Sequence, residues 1–121
     1  MYSAQILDHF EHPRNVGDVA EATAAAQIEN PACGDVLRLS IRVRGGIISE
    51  AKFRAKGCVP SMACGSKLTE MIVGRELSNV RKLTRKEIAE QLGGMPAGSD
   101  HAPQLAMDAL AAVLKQVGAS L

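Results

Sequence analysis

Residues 36–56 constrain the chain more than any other stretch, because they read as a β-hairpin with one apolar face. Leu37, Leu39, Ile41 and Val43 alternate with Arg38, Ser40, Arg42 and Arg44, the period of two expected of a half-buried strand. Gly45-Gly46 supplies the positive φ angles of a tight turn. The return strand then sets Ala51, Phe53 and Ala55 against Glu50, Lys52, Arg54 and Lys56. Such a hairpin must be covered on its apolar side, and helical patterns elsewhere supply the cover. Ile6, Leu7 and Phe10 fall at helical spacing within residues 2–10, which stop before His12-Pro13. After Pro60, Cys64, Leu68, Met71 and Ile72 form an apolar stripe that ends near Gly74. Thr84, with Glu87 as its capping-box partner, opens a segment running to about Leu92. A last helix from near Pro103 aligns Ala106, Ala109, Leu110, Val113 and Val117. Residues 22–29 are a weaker strand candidate, and residues 93–99 are expected to be the most flexible. The expectation is one α+β domain over residues 1–121, a three-stranded antiparallel sheet with helices packed on one face.

Composition removes several function classes. Fourteen Lys and Arg against thirteen Asp and Glu give a net charge of +1, without a long like-charge block, so neither nucleic acid nor an anionic membrane is expected as a partner. With no Trp, one Tyr and two Phe, the chain lacks the stacking platforms of single-strand binders. No run approaches the roughly 20 apolar residues of a membrane span, and residues 1–15 mix Asp8, His9, Glu11 and Arg14 among apolar ones, unlike a signal peptide. A cytoplasmic location is expected. Three cysteines, Cys33, Cys58 and Cys64, then point to free or metal-bound thiols rather than disulfides.

Cys33 and Asp35 flank a glycine just ahead of the first hairpin strand, in the turn-like run Asn30-Pro31-Ala32-Cys33-Gly34-Asp35. Gly57-Cys58 follows the second strand. Pairing around Gly45-Gly46 brings these two connections to the same end of the sheet. Cys58 also precedes a helix, whose unpaired N–H groups and dipole favour a thiolate. Cys64 reads two ways, as a small buried hydrophobe on the apolar stripe or as a third thiol. On a continuous helix it does not share a face with Cys58, so the second reading needs Cys58 to lie on the preceding loop. His101, at the start of the last helix, is a candidate ligand or a surface and capping residue. His9 and His12 are read as structural, and the basic residues Arg38, Arg42, Arg44, Lys52, Arg54 and Lys56 as the solvated face of the hairpin, although a protein-docking surface would look the same.

These residues make the chain resemble the U-type iron-sulfur cluster assembly scaffolds, the IscU/NifU/SufU family. The resemblance rests on Leu7-Asp8-His9-Phe10-Glu11-His12-Pro13-Arg14-Asn15-Val16-Gly17, on Asn30-Pro31-Ala32-Cys33-Gly34-Asp35, on Ala51-Lys52-Phe53 with Gly57-Cys58, and on Leu68-Thr69-Glu70. It implies a non-enzymatic scaffold that builds a transient [2Fe-2S] cluster from iron and from sulfur supplied by a cysteine desulfurase, and passes it to apo iron-sulfur acceptor proteins. It implies that Cys33 and Cys58 are cluster ligands or persulfide acceptors, and that Asp35 is a ligand or keeps the cluster labile.

The chain departs from the family pattern where a His-Cys pair should open the last helix, since His101 is followed by Ala102. The run Met95-Pro96-Ala97-Gly98-Ser99-Asp100 lacks the Leu-Pro-Pro-Val-Lys segment read by the dedicated heat-shock chaperone, which puts that partnership in doubt. A single-domain variant is therefore expected, without the insertion of zinc-bound SufU types or the extra domains of full-length NifU. With the usual third cysteine absent, Cys64 is a candidate replacement beside Cys33, Cys58 and either Asp35 or His101. A site shared between two chains in a homodimer would be another way to gather four thiols. Two alternatives to the scaffold remain open: a persulfide acceptor that activates the desulfurase without a stable cluster, and a zinc protein holding one ion on Cys33, Asp35, Cys58 and His101.

Overall fold

The computed structural model describes residues 2–31 and 34–120. The elements run α1 (Ala4–Glu11), β1 (Ala24–Glu29), β2 (Val36–Arg44), β3 (Ile47–Lys56), α2 (Val59–Ile72), α3 (Leu77–Val80), α4 (Arg85–Gln91) and α5 (His101–Ser120). The strands form one antiparallel sheet in the order β1-β2-β3, as the α+β expectation has it. No helix among the described residues is long and apolar enough to cross a membrane.

Gly45 and Gly46 have φ of 58° and 77°, the pair of left-handed residues that a two-residue turn needs to match the twist of its strands. Beyond the turn Val43 pairs with Ile48 but Arg42 with Glu50, so Ser49 is an extra residue in β3. This bulge restarts the alternation. Ile48 faces the core along with Ala51 and Phe53, which an unbroken period of two forbids.

Leu37, Leu39, Ile41, Ile48, Ala51 and Phe53 meet Ala63, Cys64, Leu68 and Ile72 from α2 in one core. α2 approaches the sheet so closely at Gly65 that a Cβ there would lie 2.7 Å from the Phe53 ring and 2.9 Å from Leu37 Cδ1. α5 contributes Ala102, Leu105, Ala106, Ala109, Leu110, Val113 and Val117, and its alanines let the helix lie near both the sheet and α2. α4 starts on Thr84, whose hydroxyl accepts from Glu87 N–H at 3.3 Å, as the capping-box reading requires.

α1 differs from its apolar pattern. It buries Ile6 and His9, leaving Leu7 and Phe10 partly exposed. His9 goes inside because it finds polar partners there: Nδ1 lies 2.7 Å from Ser66 Oγ and Nε2 lies 3.8 Å from Glu70. Ser66 also accepts from Arg14 N–H at 2.9 Å, so the histidine, α2 and the segment after α1 are tied by one buried hydroxyl.

The far face of the sheet is less solvated than its basic residues suggest. The segment after α1 runs beside β3, where Gly17 N–H donates to Phe53 O and Phe53 N–H to Asn15 O, both at 2.9 Å. It then crosses the sheet. Val19 is buried and its N–H donates to Ser40 Oγ at 2.9 Å. Asp18 accepts from Arg38 Nε at 3.1 Å and Arg54 Nε at 2.7 Å, and the Arg42 guanidinium donates to Ala20 O.

Candidate metal centre

The sheet brings Asp35 and Gly57-Cys58 together because Val36 pairs with Lys56, making residue 35 and residue 57 neighbours at the end of the ladder. On the Asp35 side the loop is closed by Asn30 N–H to Asp35 O at 2.8 Å and Gly34 N–H to Asn30 O at 2.7 Å. On the other side Gly57 has φ of 143°, and a Cβ there would overlap Asp35 Oδ1. Glycine is therefore required twice, for its backbone and for the room it leaves the carboxylate.

Cys58 is the N-cap of α2, with extended backbone and no cap hydrogen bond from its side chain. Its Sγ lies 3.1 Å from Asp35 Oδ2 and 3.1 Å from Ser61 Oγ, and its N–H donates to Asp35 Oδ1 at 3.2 Å. His101, the first residue of α5, brings Nε2 to 3.8 Å from Cys58 Sγ and 3.4 Å from Asp35 Oδ2. One donor atom from each of Asp35, Cys58 and His101 lies within 4.8 Å of the others. Asp35 is buried, while Cys58 and His101 are half-buried. Beside them a recess of about 250 Å³ is lined by Asn30, Pro31, His101 and Gln104, among others. Thiol, carboxylate and imidazole are all ligands that iron and zinc accept, so the donor set fits a metal.

Burial pushes the Cys58 thiol above its ordinary value. The Ser61 hydroxyl pulls it back down and the Asp35 carboxylate pushes it further up. A metal ion reverses this balance, because coordination removes the thiol proton.

The structure thus gathers three of the residues singled out in the sequence. Cys33 lies outside the described residues. Cys64 sits in the core, fully buried and outside the three-residue group, with its thiol pushed up to about 12 chiefly by burial. Ala102, standing where the family pattern has a cysteine, is also buried. One contributor was missed by sequence reasoning: Ser61, buried, whose hydroxyl donates to Asp35 Oδ2 at 2.7 Å. Its signal was a hydroxyl one turn after Cys58 in an otherwise apolar helix start.

The profile of the NifU-like N-terminal domain family matches residues 1–119. A protein of Archaeoglobus fulgidus named iron-sulfur cluster assembly scaffold protein IscU 1 is 41% identical over 110 residues, covering 91% of this chain and 72% of that one. Its Escherichia coli counterpart in name, iron-sulfur cluster assembly scaffold protein IscU, is 38% identical over 117 residues, covering 93% and 91%. The crystal structure of a nitrogen-fixing NifU-like protein (N-terminal) from Brucella abortus superposes with a TM-score of 0.81 at 18% identity, over 98% of this chain and 95% of that one. That last likeness concerns the fold.

Proposed function

This chain belongs to the family of NifU-like N-terminal domains, and on that premise we propose that it is a scaffold for iron-sulfur cluster assembly whose cargo is a transient [2Fe-2S] cluster. The observation that carries this reading is the convergence of Asp35, Cys58 and His101 at one end of the sheet. Cys58 supplies a thiolate and Asp35 an oxygen, and His101 offers a nitrogen from a second element. Cys33, in the same loop as Asp35, is proposed as a second thiolate. Thiolates are the usual holders of such clusters, so a set that mixes in oxygen and nitrogen holds its cargo less firmly, which suits a protein that must release it. The chain does no redox or bond-breaking chemistry of its own on this reading. Sulfur comes from a cysteine desulfurase, and the product leaves to apo iron-sulfur proteins.

The test is anaerobic reconstitution with ferrous iron, cysteine and a cysteine desulfurase, with iron and acid-labile sulfide assayed per chain. Equal iron and sulfide, with visible bands that disappear on transfer to an apo-ferredoxin, is the expected result. A persulfide on Cys58 without iron would replace the scaffold by a sulfur acceptor. A second reading is favoured by the spacing of the donors: three ligand atoms within 4.8 Å of one another suit a single tetrahedral ion, with Cys33 as fourth ligand. One zinc retained per chain, with no sulfide incorporated, is the outcome belonging to that reading.

A further inference from the structure

We propose that the Ser61 hydroxyl competes with a bound metal for Asp35 and so sets how readily the site lets its cargo go. This rests on the reading of the site as a metal centre. The two oxygens of Asp35 are held differently. Oδ1 takes the Cys58 N–H at 3.2 Å, a contact that orients the carboxylate. Oδ2 is the oxygen facing the other donors, 3.1 Å from Cys58 Sγ and 3.4 Å from His101 Nε2. Ser61 bonds to that same Oδ2, at 2.7 Å. A hydroxyl on the far oxygen of a ligating carboxylate supports the ligand. A hydroxyl on the near oxygen takes up one of its two lone pairs and draws on the charge that a metal there would use.

Ser61 has a second place to put its hydrogen. Its Oγ lies 3.1 Å from Cys58 Sγ, and a hydroxyl hydrogen turns without moving any heavy atom. In the metal-free protein the thiol can donate to Ser61 Oγ while Ser61 donates to Asp35. When Cys58 binds a metal its proton passes to solvent, and the sulfur becomes an acceptor. Ser61 then turns from Oδ2 to Sγ. Two consequences weaken the metal's hold; they oppose, and on this proposal outweigh, the help that the same hydroxyl gives by stabilising the Cys58 thiolate. The metal has to displace a charge-assisted hydrogen bond before it gains the carboxylate. The replacement bond draws electron density from the ligating sulfur, since hydrogen bonds to sulfur tune such centres. Ser61 therefore loosens the site, the opposite of the usual effect of an outer hydrogen bond.

Cobalt(II) alone is a suitable probe, added anaerobically to the metal-free protein, to Ser61→Ala and to Ser61→Thr, with folding of each followed by circular dichroism. The wild type should show a thiolate-to-cobalt charge-transfer band. In Ser61→Ala that band should move to lower energy, because the sulfur has lost its hydrogen bond, and release of cobalt to EDTA should slow about tenfold. Ser61→Thr, which keeps the hydroxyl, should behave as the wild type. Release from Ser61→Ala that is unchanged or faster, a band that does not move, or a threonine variant as slow as the alanine one would overturn the proposal while leaving the metal-centre reading in place. A wild type with no charge-transfer band would remove both.

Discussion

Gly57 joins backbone and chemistry in one residue, since its φ of 143° and its contact with Asp35 both exclude a side chain. Gly57→Ala should weaken cobalt binding at least tenfold and destabilise the fold by about 1–3 kcal/mol, measured by titration and by urea unfolding. Cys64 gives the opposite pattern. Cys64→Ala should cost about 1 kcal/mol by leaving a small void in the core and leave the cobalt spectrum unaltered; a changed spectrum would restore it as a ligand. At this scale the sequence separated the two roles imperfectly. Cys64 lies on the apolar stripe with Leu68 and Ile72 and could be read as core from that alone. Ser61 carried only a faint signal, because a single hydroxyl in a first helical turn is ordinary until the position of Asp35 is known.

Between elements, two close contacts carry predictions, at Gly65 and His9. Alanine at position 65 improves intrinsic helix propensity by about 1 kcal/mol, yet its Cβ would meet the Phe53 ring and Leu37. Gly65→Ala should therefore be net destabilising, by about 1–3 kcal/mol, with the loss visible in the urea midpoint. His9 is held below its ordinary 6.5, first by burial and then by Arg14. The unfolded chain takes up this proton near pH 6.5 while the folded chain resists it, so stability is full above 6.5 and declines as pH falls through the window beneath it. Urea midpoints measured from pH 8 to pH 5 should fall for the wild type, and His9→Gln should flatten that part of the dependence. The hairpin, the capped α4 and the meeting of Asp35 with Cys58 were legible, because alternation and turn chemistry fix which residues stand side by side. The bulge was not, since Ile47 and Ile48 are both apolar and either could face inward. Nor was the single turn of α3, which is too short to show a period. His101 was identified as a candidate only, because the placement of α5 depends on packing against the sheet and α2.

Across the whole molecule the near-neutral net charge conceals a basic sheet face. Arg38 and Arg54 are direct cross-strand neighbours, an unfavourable pairing of like charges that Asp18 offsets by accepting from both. Asp18→Asn should lower stability in dilute buffer and lose most of that effect in 1 M salt, where the Debye length shrinks to about 3 Å. Denaturation at two ionic strengths checks this. The same crossing segment also bears on how the protein meets others. The outer edge of β3 is paired at Phe53 by residues 15 and 17, and at Ile48 by Gly74 N–H and Arg75 O. On the opposite margin the Gln116 side chain takes both the N–H and the C=O of Ala25, at 3.1 and 2.7 Å. With its selvedges stitched at these points, the sheet offers a visiting chain less seam to extend there. A partner that docks on side-chain surfaces beside these stitches can come away again without any strand having to be unpicked.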